Sequence, residues 1–161
     1  MAIILNGNNT PTAGSVAVGD GTTLAFTSVG TSGQLLQSNG SSAPSFSGTI
    51  TNPTVTNYTE TPFTANSSTA ITIALTNGTV QIITLTGNAT ITMPTATSGK
   101  SFIMFLKQDA TGSRTVTWST VKWPGGTNPT ITATASRQDI YSFFADGTNW
   151  YVVNVGQNYT P

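Results

Sequence analysis

The side chains that most enzymes rely on are scarce in this chain. Its 161 residues include no histidine and no cysteine, with five cations and five anions, and of those charges only Asp20 and Glu60 precede Lys100. A nucleophile would have to be activated by a lysine, or a reaction run by two paired carboxylates. Nothing in the spacing ties Glu60 to Asp20. Metal binding lacks thiolate and imidazole donors, and there is no acidic loop pattern of the kind that holds calcium. The expectation is a protein with no catalytic residue, no metal and no cofactor.

Three groups of side chains could still carry a function. Lys107, Asp109, Arg114 and Lys122 place four charges close together. The segment Lys107-Gln108-Asp109-Ala110-Thr111-Gly112 reads as a strand running into a turn, with Asp109 accepting from local backbone amides. Arg137 and Asp139, two apart, would share one side of a strand and could pair there as an exposed ion pair of little value. Among the three tryptophans, Trp118 and Trp123 could form a platform on which a sugar stacks. The alternative, which the residues favour, is that the indoles fill a core or a subunit interface, where large aromatics contribute most. Ile3, Ile4 and Leu5 form the most apolar patch of an otherwise polar N-terminal stretch, and are candidates for insertion into a partner's groove or addition to its sheet edge.

The totals narrow the partners. Net charge is zero, and five cations are too few for an extended phosphate-binding face, so nucleic acid is not expected. No apolar run approaches the ~20 residues of a membrane-spanning helix, and the N-terminus lacks the cationic start of a signal peptide. Weak repulsion between copies permits self-association. With no disulfide available, the expectation is that apolar strand faces are buried against sister chains.

The elements that must position these residues are strands. Residues 1–50 are rich in Gly, Ser and Thr, with short apolar bursts at 3–5, 16–18, 24–26 and 35–36, and read as an extended arm for attachment. Residues 51–161 read as a β knob, with strands expected over 55–58, 70–75, 80–85, 89–93, 101–107, 114–118, 130–134, 139–145 and 149–155. Asn77-Gly78, Gly87-Asn88, Thr111-Gly112 and Asp146-Gly147 separate several of them. Asn-Gly and Asp-Gly between apolar runs are strong hairpin signals, because both central residues readily take positive φ. No helical periodicity and no strict internal repeat is visible. The fold class expected is all-β: an antiparallel sandwich of jelly-roll type preceded by an extended arm.

The stretch from Gly99 to Trp118, containing Gln108-Asp109-Ala110-Thr111-Gly112-Ser113-Arg114-Thr115-Val116-Thr117-Trp118, resembles a module of bacteriophage fibre and other virion proteins. Lys122-Trp123-Pro124-Gly125-Gly126 continues that likeness, and so does Gly33-Gln34-Leu35-Leu36-Gln37-Ser38-Asn39-Gly40 upstream. The resemblance implies a homotrimer at the virion surface, with the major capsid protein or another virion protein as partner. A capsid decoration (cement) protein or short head fibre is the reading favoured on length. A short tail fibre or fibre tip binding host glycans is the alternative.

Overall fold

The computed structural model describes residues 12–19 and 24–161, and all of its regular elements are strands apart from two short 3-10 turns. The chain divides into two compact units, Met1–Asn57 and Tyr58–Pro161. The expected anchor, Ile3, Ile4 and Leu5, lies outside the described residues.

Among its described residues the first unit holds two antiparallel pairs. β1 (Ala17–Gly19) pairs with β2 (Leu24–Phe26), and β3 (Leu35–Asn39) pairs with β4 (Ser42–Ser47). The β3–β4 turn is the Asn39-Gly40 signal in action: Gly40 sits at φ 69°, and the Asn39 side-chain amide donates to the Ala43 carbonyl at 2.8 Å.

The second unit is built from stacked coils. β5 (Phe63–Asn66), β7 (Val80–Leu85) and β9 (Ser101–Gln108) lie in parallel in one sheet. β6 (Ala70–Thr72), β8 (Ala89–Thr92) and β10 (Val116–Trp118) lie in parallel in a second. The chain thus alternates between sheets, and each turn of it stacks on the last as in a β-solenoid. β11 (Val121–Lys122), β12 (Gln138–Ala145) and β13 (Trp150–Tyr159) extend the first sheet to the order β11-β13-β12-β9-β7-β5. Only β9–β12 and β12–β13 are antiparallel ladders in this unit.

The all-β class holds, but strand direction corrects the antiparallel jelly roll. Asn77-Gly78 and Gly87-Asn88 do not close hairpins. Each turns the chain out of one sheet and into the other, Gly78 at φ 127° donating its N–H to the Leu75 carbonyl at the end of a 3-10 turn. Asp146-Gly147 does close a hairpin, between β12 and β13.

The core lies between the sheets. Inward positions alternate along β7 (Gln81, Ile83, Leu85), β8 (Ala89, Ile91) and β9 (Phe102, Met104, Leu106), as the two-residue period of a strand requires. β12 and β13 add Tyr141, Phe143, Trp150 and Val152. Phe102 stacks on Phe143 at 4.5 Å between ring centroids and meets Trp150 edge-on at 5.3 Å. Each such fully buried apolar side chain contributes about 1.5–3 kcal/mol in transfer terms. The Trp150 indole donates to the Pro94 carbonyl at 2.7 Å, so its one polar group is satisfied.

Candidate functional site

Trp118 ends β10 and Trp123 follows β11, and the connection between those strands bends at Thr120, φ 52°. That brings the two rings to 5.4 Å, edge to face. Both also meet the Tyr141 ring, at 5.6 and 5.7 Å. Trp123 is 7% exposed, and its indole nitrogen is buried without a hydrogen-bond partner among the described residues. Its faces are therefore occupied by the protein itself. Trp118 is half-buried at the margin of the core.

Of the four charges expected together, Asp109 and Arg114 form a stapled turn, while Lys107 faces outward on β9 and Lys122 lies on β11. Asp109 accepts from the Thr111 and Gly112 backbone amides at 3.0 and 2.9 Å, as its place in the sequence predicts, and forms an ion pair with Arg114 at 2.8 Å. The Arg114 bond, helped by those amides, holds the Asp109 carboxyl below the usual aspartate range. Gln108 next to it is buried, donating to the Arg114 and Thr132 carbonyls and accepting from the Arg114 amide.

Asp139 does not make the exposed pair with Arg137 that their spacing suggests. It is 2% exposed and points inward, accepting from the Thr132 and Asn158 amides, the Gln157 side chain and the Tyr141 hydroxyl at 2.8–3.2 Å. Arg137 precedes β12 and follows Ser136 at φ 59°, so strand alternation does not reach it, and it donates instead to the Thr160 hydroxyl. Burial, and then the Asp139 charge, push the Tyr141 hydroxyl above its ordinary value.

Asp146 closes the β12–β13 turn, accepting from the Thr148 and Asn149 amides and the Tyr151 hydroxyl at 2.7–2.9 Å. Those amides hold its carboxyl low, and the bond to Asp146 raises the Tyr151 hydroxyl. Glu60 accepts from the Thr79 hydroxyl. Among the described residues no group of three or more His, Cys, Asp or Glu is placed to hold a metal ion.

A feature whose residues were not singled out from the sequence lies on the outside of the larger sheet. Val80, Ile103, Ser142 and Val153 form one cross-strand row on its outer face. Ile82, Phe105 and Ile140 form the next, and Ser101, Phe144 and Tyr151 a third. Ile103, Phe144 and Val153 are 42%, 50% and 49% exposed. The outward positions of β7, β9, β12 and β13 carry Lys107 as their one charge. The signal was present in the sequence as unbroken apolar runs, Phe102–Leu106 above all. Strands covered on both faces read that way, whereas one-sided strands alternate.

A family model described as a putative phage tail fibre C-terminal domain matches residues 43–150, about two thirds of the chain. No curated protein and no solved structure matches it.

Proposed function

The chain belongs to the phage tail fibre C-terminal domain family, and from that premise we propose that it is a non-enzymatic structural protein of a bacteriophage fibre, displayed on the virion surface. The observation that carries the non-enzymatic reading is the fate of the acidic side chains. Glu60, Asp109, Asp139 and Asp146 are each bonded to the fold that surrounds them. Glu60 lines a surface cavity with Tyr58 and Thr79, where the Thr79 hydroxyl holds it, and the chain has no histidine or cysteine to pair with it there. General acid–base catalysis needs a group within reach of a substrate proton.

Residues 51–161 act as the knob of a homotrimer, and residues 1–50 attach it to the major capsid protein or another virion protein, with Ile3, Ile4 and Leu5 as the anchor. The family's description favours a tail fibre over a head-decoration protein. Glycan binding draws support from Trp118 alone, since Trp123 is enclosed.

Antibody labelling of purified particles, read by electron microscopy, tests the placement. Label at the tail fibres is expected. Label spread over the head would move the protein to head decoration, and particles without label on head or tail would overturn the reading. Deletion of residues 2–5 is expected to abolish incorporation while leaving residues 51–161 folded. Normal occupancy by the truncated chain would place the anchor elsewhere.

A further inference from the structure

The larger sheet of residues 58–161 has its inner face in the core, and its outer face exposes Ile103, Phe144, Tyr151 and Val153 beside half-buried Ile82, Phe105 and Ile140. We propose that this outer face, centred on Ile103, Phe144 and Val153, is the surface through which copies of the chain associate. The inference deepens the homotrimer reading above by naming where the copies meet.

Size is the first support. Four strands about 4.8 Å apart, each about six residues long at about 3.3 Å per residue, give a footprint on the order of 20 Å by 20 Å. That is roughly 400 Å², within the ~300–600 Å² of the largest apolar patches on monomers, which are often functional. The rim is polar: Ser101, Lys107, and Glu60 held by Thr79. An apolar centre inside a polar rim is the anatomy of an interface, and roughly 400 Å² is about half of the ~800 Å² per partner of a standard one.

Charge selects the occupant. The four strands present one cation outward and no anion, so a charged partner would find little to pair with. A second copy brings an equally neutral surface from a chain of zero net charge, and like meets like without repulsion. The second sheet of the same unit is the internal contrast. Its outward residues on β8 are Thr90 and Thr92, both exposed.

The test is the solution mass of the full chain by sedimentation, with Val153→Lys on the proposed interface and Thr92→Lys on the other sheet. The wild type and Thr92→Lys are expected to be oligomeric at micromolar concentration. Val153→Lys is expected to be a folded monomer, its fold checked by near-ultraviolet circular dichroism. Should the lysine prevent folding, Val153→Thr keeps the β-branched shape and is expected to weaken association by about tenfold. A monomeric wild type would overturn the proposal, as would Val153 variants of unchanged mass or a Thr92→Lys variant that dissociates equally. A monomeric wild type still found on particles would leave the fibre reading standing and assign this face to another virion protein. An oligomer that depends on Val153 but is absent from particles would do the reverse.

Discussion

Ile91 of β8 and Met104 of β9 are both sealed from solvent, one in each sheet. Their chain neighbours face outward and differ completely: Thr90 and Thr92 flank the first, Ile103 and Phe105 the second. Folding explains the inward residues of both sheets, because each closes on the same core. It does not explain the outward ones, since an outward threonine serves a strand as well as an outward isoleucine. The difference therefore reports on what each outer face touches after folding. On this account the threonine face meets water and the apolar face meets another copy.

Removing what the two sheets share should have the largest effect. Phe143→Ala deletes a ring stacked on Phe102 beneath the apolar face, and is expected to cost about 3–5 kcal/mol in a denaturant titration. Both outer faces should be lost together.

The passage from one sheet to the other comes next. Gly112 lies between β9 and β10 at φ 73°, and a Cβ there would meet the Ala133 carbonyl oxygen and the Ala135 amide nitrogen at 2.7 Å. Gly112→Ala is expected to cost about 2 kcal/mol or more, measured as a lowered unfolding midpoint. Because the obstacle is backbone on both sides, a compensating side-chain shift should not rescue it.

Smaller changes sharpen the comparison itself. Ile103→Thr and Thr92→Val exchange the outward chemistry of the two sheets at exposed positions. Each should leave monomer stability within about 0.5 kcal/mol. Only Ile103→Thr should weaken association, and moderate salt should affect association weakly, because the four strands present Lys107 as their one outward charge and the rim adds only Glu60.

Acid should give the smallest and most local response. Asp109 and Asp146 are both held below the usual aspartate range, so the stability they add is present above about pH 4 and is lost as pH falls below it toward their folded values. Tyr141 and Tyr151 are raised, so stability also falls as pH climbs past about 10, where the unfolded tyrosines ionise first. Replacing Asp146 with Asn should flatten the acid limb, measured as unfolding midpoint against pH.

Much of the strand content is legible in the sequence, and the pairing is not. The segments Val80–Leu85, Ala89–Thr92, Ser101–Gln108 and Gln138–Ala145 are visible because alternation and β-branched content coincide there. Thr130–Thr134 has the same texture but forms no ladder. Much of its backbone is held by side chains, the Thr132 amide by Asp139, the Thr132 carbonyl by Gln108 and the Thr130 carbonyl by Gln157. The Ala133 and Thr134 carbonyls accept from the Ser113 and Arg137 amides. Val55–Tyr58 is likewise not a strand, while β5 at Phe63–Asn66 and the two-residue β11 escape notice. Asn77-Gly78 announces a bend without saying which strand the chain will then join. The coil repeat stays hidden because its step lengthens, from Phe63 opposite Gln81 to Ala89 opposite Val116. Trp123 shows its size in the sequence, but its enclosure depends on Tyr141, which a linear reading cannot place beside it.

The absence of cysteine allows the proposed interface to be tested directly. Val153→Cys and Thr92→Cys each place one thiol on one outer face, and the rate of maleimide labelling at fixed pH reports access to it. In the assembled protein Thr92→Cys should react at nearly the rate of the unfolded chain, while Val153→Cys should be slower by well over an order of magnitude and recover on dilution to monomer. Equal rates on the two faces of the assembled protein would contradict the account.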